Sequence, residues 1–213
     1  SVGSVKEVWL RQVVDFRRQL RVFRVDHRGM GRSTGPDAPL TMRDMAEDLV
    51  LLLDALGIRR PFVWGVSMGG MIAQELALGW PGRVERLILA NTSAGPRTAI
   101  EGTSSPPLRT VSQRTAEEIQ QNIVPLLFGR PYLVSHPRAV RAFARARAIN
   151  PPDPARLARQ WEAFDGFDTW ERLPRLTLRT LVLVGLLDKM VSPDNGRQLA
   201  ARLPNAVLYE VAG

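Results

Sequence analysis

The sequence contains no cysteine, two histidines, two lysines and no long apolar run, and each shortage removes a class of chemistry. Without cysteine there are no disulfides, no thiolate nucleophile and no thiolate metal site, and so few histidines leave little for zinc. No stretch approaches the ~18 consecutive apolar residues of a membrane span. Nor does the start show the basic segment, apolar run and small-residue cleavage site of a signal peptide. These absences predict a soluble, cytoplasmic protein with no metal and no membrane partner.

Arginine is abundant. The 213 residues carry 29 basic against 21 acidic side chains, a formal net charge of +8. Such a balance raises nucleic acid as a partner. The arginines, however, are scattered from Arg11 to Arg202. Their densest set, Arg138, Arg141, Arg145 and Arg147, falls on one predicted helix with no aromatic or glycine-rich nucleic-acid motif beside it, so it reads as a solvated helix face. No nucleic-acid partner is expected. At 45% hydrophobic residues, the chain can bury one substantial core, the size of an α/β domain with an insertion.

The stretch that organises the rest is residues 61–81, PFVWGVSMGGMIAQELALGWP. Phe62, Val63 and Trp64 form a short β-type run. Gly65-Val66-Ser67-Met68-Gly69 then fits G-x-S-x-G, and Met71, Ile72, Leu76 and Leu78 follow at roughly helical spacing. The pattern predicts strand, sharp turn and helix, with Ser67 at the bend. Such a turn strains the serine backbone, and Gly65 and Gly69 are expected to relieve crowding against it. The helix after it aims N–H groups and its positive dipole end at developing negative charge, making the Met68 N–H one oxyanion donor. The competing reading is a glycine-rich turn with an incidental serine.

Around this stretch the periodicity predicts a helix near residues 9–18, a strand over 20–25 and a charged, glycine-rich loop over 26–33. Thr41 and Asp44 form a capping box ahead of a helical stripe of Met45, Leu49, Leu52, Leu53 and Leu56. Strands follow at 87–90, 180–185 and 206–211, and Ser192-Pro193 opens a helix to about Arg202. Strands alternating with helices imply a doubly wound, mainly parallel sheet. Between residues 94 and 175 the alternation stops. Helices are predicted there over 116–128, 137–149 and 154–164, the last with Asp153 as N-cap.

Asp26-His27-Arg28-Gly29-Met30-Gly31-Arg32-Ser33 after a strand, followed by Gly-x-Ser-Met-Gly-Gly, resembles the α/β-hydrolase superfamily over nearly the whole chain. The resemblance implies a core over residues 1–94 and 176–213, incomplete at both ends, and a helical cap inserted over 95–175. Trp161, Phe164, Phe167 and Trp170 could wall an acyl or alcohol pocket in that cap, although packing within the cap explains each of them equally well.

Gly185-Leu186-Leu187-Asp188 resembles the family's acid turn, giving the order Ser then Asp. Asp188 could equally be a plain turn aspartate. Asp194 is a rival, but its place in a helix first turn is explained by the dipole. Asn91 holds the other position where such folds may put their acid, and an amide supplies no charge. The family's base, a histidine after the last strand, has no counterpart in the sequence, since His27 belongs to the charged loop and His136 precedes a cap helix. Nothing ahead of Trp9 is expected to supply the second oxyanion donor.

The resemblance thus implies a serine hydrolase, similar to bacterial esterases, that cleaves a carboxylic ester or lactone through an acyl-enzyme, with Ser67 and Asp188 catalytic and no cofactor. Its partner would be a small-molecule ester or lactone. The chain as it stands is expected to be inactive for want of the imidazole. Trp9, the charged loop and the Leu89-Ala90-Asn91-Thr92 run are also similar to enol-lactone hydrolases of aromatic catabolism. A non-catalytic, ligand-binding hydrolase fold is the alternative from another class.

Overall fold

Four short apolar runs pair side by side, all in the same direction, in a computed structural model that describes residues 2–103, 115–151 and 153–212. They are β1 (Phe62–Val66), β2 (Arg86–Ala90), β3 (Thr180–Gly185) and β4 (Ala206–Val211), in spatial order β1-β2-β3-β4. A parallel pair cannot be closed by a tight turn, so a crossover separates each strand from the next. A 3-10 turn (Lys6–Trp9) leads into α1 (Leu10–Phe16), followed by α2 (Met42–Ala55) and α3 (Met68–Gly79). The Thr41 hydroxyl accepts from Asp44 N–H at 3.1 Å while the Asp44 carboxylate accepts from Thr41 N–H at 2.8 Å, so the predicted capping box is present.

Between β2 and β3 stand α4 (Ala116–Asn122), α5 (Val124–Leu127), α6 (Arg130–Ser135), α7 (Pro137–Ala148) and α8 (Pro154–Asp165). Residues 104–114 and 152 of the predicted insertion lie outside the described residues. The single helix expected over 116–128 is two helices. Pro125, at the start of α5, has no N–H to continue the ladder of α4. Asp153 caps α8 as expected, accepting from Ala155 and Arg156 N–H at 2.9 and 3.2 Å. The last helix, α9 (Pro193–Arg202), is capped by Ser192 and joins β3 to β4.

One face of the sheet builds the core. Leu87, Leu89, Val182 and Val184 point the same way and pack against Ala73 and Ala77 of α3, Leu199 of α9, and Leu173 and Leu176. Leu87, Leu89 and Val182 are at most 1% exposed, and burial of each side chain contributes about 1.5 to 3 kcal/mol. On the opposite face Trp64 receives the rings of Trp9 and Phe16 edge-on, at 5.2 and 6.0 Å. A second cluster joins Met42, Met45 and Ala46 of α2 to Met68, Met71 and Ile72 of α3 and Ala163 of α8.

The strand expected over residues 20–25 is not formed. The segment joins no ladder, and Leu20, Phe23 and Val25 are exposed. A short run rich in Val and Phe suits a strand, but it does not make one without a neighbour, and β1 pairs only with β2 among the described residues.

The charged loop after this segment is fastened by one buried carboxylate. Asp26 accepts from Lys6 N–H at 2.6 Å, from Arg32 N–H at 3.3 Å and from the Lys6 ammonium. Its backbone carbonyl takes the Ser33 hydroxyl at 2.7 Å. Gly31, at φ +53°, lies so close that a Cβ would fall 2.5 Å from the Asp26 carboxyl carbon. Arg28 forms a two-pronged ion pair with Asp48 of α2. The motif therefore ties residues 26–33 to the start of the chain and to α2. Desolvation works to raise the Asp26 carboxyl, but the Lys6 ammonium and the two N–H groups outweigh it and hold it below its usual value.

A group lowered in this way contributes stability above its unfolded pKa of about 3.9 and loses it as pH falls through the folded value. Asp26→Asn should therefore melt below the parent at neutral pH, with the gap closing on acidification below about pH 4. Melting curves across that range check this, and a gap of constant size would reject it.

Candidate active site

Ser67 stands where β1 gives way to α3, with φ 54° and ψ −124°, one of two non-glycine residues at positive φ among those described. Backbone strain of this kind costs on the order of 1 to 3 kcal/mol and persists only when surroundings enforce it. Here the Ser67 N–H donates to Ala90 C=O at 2.9 Å, and its own carbonyl accepts from Gly70 N–H at 2.8 Å and from the Thr92 hydroxyl at 2.8 Å. No hydrogen bond engages the Ser67 hydroxyl among the described residues. The Met68 N–H, first in the helix, also has no acceptor there.

The two elbow glycines differ. A Cβ on Gly65 would lie 2.2 Å from the Gly69 carbonyl oxygen, whereas a Cβ on Gly69 would meet nothing within 4 Å. The expectation that both relieve crowding is corrected, because Gly69 supplies the obstacle and its own Cβ position faces open space. The second crowded position is Gly70, where a Cβ would fall 2.6 Å from the Thr92 methyl.

Asp188 follows β3, two strands from Ser67, at the same carboxyl end of the sheet. Its Oδ1 accepts from Met190 and Val191 N–H at 2.8 and 3.0 Å, and Oδ2 accepts from the Asn91 amide at 2.6 Å. Burial pushes the carboxyl above its usual range, and those three donors limit the rise. Asp194 instead pairs with Arg197 at 2.6 Å on the surface.

Neither histidine is hydrogen-bonded to Ser67 or Asp188. His27 sits beside Asp26 and Arg28, where desolvation pushes its pKa down to about 4. His136 stacks on Tyr132 at 4.3 Å and bonds the Ser135 hydroxyl at 2.7 Å.

The four aromatic candidates separate. Phe167 is buried in the cluster that holds Met68, and Trp161 and Phe164, edge to face at 5.6 Å, pack on it. Trp170 belongs to the sheet-side core, under the Arg202 guanidinium at 4.4 Å. None of them lines the cavity of about 580 Å³ between Arg28, residues 35–40 and the start of α8.

Two arrangements were missed by sequence reasoning. Val2, ahead of Trp9, belongs to the same buried cluster as Met68. Val2 C=O accepts from Arg147 at 2.8 Å and Gly3 N–H donates to Gln160 at 3.0 Å, both across the interior from α7 and α8. Arg147, read as part of a solvated face, is 2% exposed, and burial lowers its pKa to about 10. Gln74 of α3 is fully buried, donating to Ser93 C=O at 3.0 Å and accepting from the Thr169 hydroxyl at 2.7 Å. The signal for Gln74 was a pair of polar residues, Gln74 and Glu75, in the middle of an otherwise apolar helix.

A strained serine between strand and helix, an oriented carboxylate two strands away and helices inserted between β2 and β3 define a hydrolase on an α/β sheet. The chain belongs to the alpha/beta hydrolase fold family, whose profile matches residues 3–213. It is 31% identical over 216 residues to a Caulobacter segnis protein that carries the name carbamate hydrolase RutD, covering 100% of this chain and 80% of that one. The enol-lactonase of Burkholderia xenovorans superposes with a TM-score of 0.80 at 29% identity, covering 100% of this chain and 80% of that one. A thermophilic esterase of Thermogutta terrifontis gives 0.79 at 26%, covering 99% and 78%. Among the described residues no helix is long and apolar enough to cross a membrane, and no cluster of side chains could hold a metal ion.

Proposed function

We propose that this protein is a serine hydrolase that cleaves a small-molecule carboxylic ester or lactone through an acyl-enzyme, without a cofactor. The carrying observation is Ser67 itself, held at φ 54° at the turn from β1 into the start of α3. The Ser67 oxygen attacks the carbonyl carbon as its proton passes to an imidazole base. The carbonyl electrons move onto oxygen, and the Met68 N–H donates a hydrogen bond to the oxyanion that forms. A second donor would come from the loop ahead of α1, whose Val2 belongs to the same buried cluster as Met68. Collapse expels the alcohol, or opens the lactone, as the imidazolium returns its proton to the leaving oxygen; water, giving a proton to the imidazole, then attacks the acyl carbon, and Ser67 leaves with that proton as the acid is released. Asp188 orients and stabilises the imidazolium. The helices α4 to α8 act as a cap, with Trp161 and Phe164 of α8 packed on the cluster that holds Met68.

An enol-lactone is the second reading, favoured by the 29% identity to the Burkholderia enol-lactonase. Incubation with an aryl butyrate and imidazole should leave a butyryl group on the peptide containing Ser67, found by mass spectrometry and lost in Ser67→Ala. Competition by an enol-lactone would select the lactonase reading. A label that survives in Ser67→Ala, or its absence from the parent, favours a non-catalytic binding protein.

A further inference from the structure

The run Ala90-Asn91-Thr92 leaves β2 between the element that carries Ser67 and the element that carries Asp188. On the first side Ala90 C=O holds the Ser67 N–H at 2.9 Å and the Thr92 hydroxyl holds the Ser67 carbonyl at 2.8 Å. On the second side all the polar groups of Asn91 named here point to β3 and its loop. Asn91 N–H donates to Leu183 C=O at 2.9 Å, its Oδ1 accepts from Gly185 N–H at 3.2 Å, and its Nδ2 donates to Asp188 Oδ2 at 2.6 Å. The amide can sit only one way round, since Gly185 requires an acceptor and an ionised Asp188 requires a donor.

Asn91 adopts φ +43°, in the left-handed region that asparagine tolerates better than most residues. A backbone kept there needs a reason. The latch onto β3 supplies one, because the turned-back conformation lets the backbone N–H and both ends of the amide be satisfied together.

We propose that Ala90-Asn91-Thr92 is the spacer that sets the nucleophile against the acid, and that Asn91 is the positioning residue of Asp188. With Met190 and Val191 N–H on Oδ1 and the Asn91 amide on Oδ2, rotation of the carboxylate is fixed from three directions. One lone pair on Oδ2 is left for an imidazole N–H. No ion pair reaches Asp188 among the described residues, so these neutral donors are what stabilise its charge. This rests on the reading of Asp188 as the acid. It also explains an amide at the fold's other acid position: a carboxylate there would face Asp188 and one of the two would have to hold a proton.

Two variants test it in the 213-residue chain. Asn91→Gly keeps the positive φ and removes the amide, and Asn91→Asp keeps the shape and adds like charge. Titration of the Asp188 side-chain carboxyl carbon by NMR should move to higher pH in Asn91→Gly. In Asn91→Asp two carboxyls should titrate as a coupled pair, in two steps. In imidazole-assisted ester hydrolysis, kcat should fall about ten-fold in Asn91→Gly with KM little changed, the scale of one lost hydrogen bond to a charged group. An unmoved Asp188 titration in a folded Asn91→Gly protein overturns the proposal. The NMR result stands whether or not Ser67 proves to be a nucleophile, so failure of the hydrolase reading is seen separately, as absent turnover in every variant.

Discussion

Imidazole added to the 213-residue chain should raise its hydrolysis of an activated aryl ester by about 10²-fold, and Ser67→Ala should erase that gain. The size follows from what a general base supplies, typically ~10² to 10⁴-fold, taken at its lower end because a free base arrives without being positioned by the protein. A serine hydroxyl is a weak nucleophile until its proton is taken, and the two histidines of the sequence are occupied elsewhere, one beside Asp26 and one on Tyr132. Free imidazole also cleaves such esters in solution. The measured quantity is therefore the excess over Ser67→Ala at equal imidazole concentration. Equal rates in parent and variant would sink the assignment of Ser67.

Asp188→Asn should remove most of the same excess, because an amide presents the wrong partner to the imidazole N–H and cannot stabilise the cation. The pH dependence follows from which forms must be present. The base must be neutral and Asp188 must be ionised, so the excess falls as pH falls, first through the imidazole value, about 6.5 to 7. The Asp188 limb comes next. Burial raises that carboxyl, so its limb lies above the ordinary aspartate value of 3.8.

The elbow was legible from sequence because its chemistry is local: an apolar run, a serine between glycines and a helical stripe fix one another within twenty residues. The apolar run over 180–185 made the strand ahead of Asp188 legible, while Asp188 itself was singled out only by the resemblance of its turn to that of a family. What surrounds both was not legible. Asn91 was set aside as an amide in the place of an acid, and only the folded chain shows that its amide reaches Asp188 across 97 positions of sequence. Thr92 and Gly70 matter through contact with each other. The β-type composition of residues 20–25 is real in the sequence, but strand formation depends on a partner edge, and composition carries no information about whether one is present. The burial of Arg147 escaped for the opposite reason: a run of arginines on one helix hides the single member that turns inward to Val2.

Gly65→Ala should cost more than about 3 kcal/mol of stability, and Gly69→Ala close to nothing, although the motif treats the two glycines alike. A Cβ at position 65 would lie 2.2 Å from the Gly69 carbonyl oxygen, 2.5 Å from its carbon and 2.7 Å from Gly70 Cα. All three atoms are backbone in the first turn of α3, and none can rotate away as a side chain would. Ordinary overpacking costs about 1 to 3 kcal/mol when side chains give way, so a clash with a fixed helix start belongs at or beyond the upper end. The only relief is to move that helix start, which carries the Met68 N–H and receives its first two hydrogen bonds at the Ser67 carbonyl. A displacement of about 1 Å there can cost on the order of 10²-fold in rate. Any Gly65→Ala protein that folds should accordingly lose the imidazole-assisted excess as well. At Gly69 the added methyl meets nothing within 4 Å, and alanine's helix preference is worth up to ~1 kcal/mol over glycine. Urea unfolding of the two variants beside the parent decides it, and a Gly65→Ala midpoint equal to that of the parent would show that the close approach of β1 to α3 is not what the glycine is there to permit.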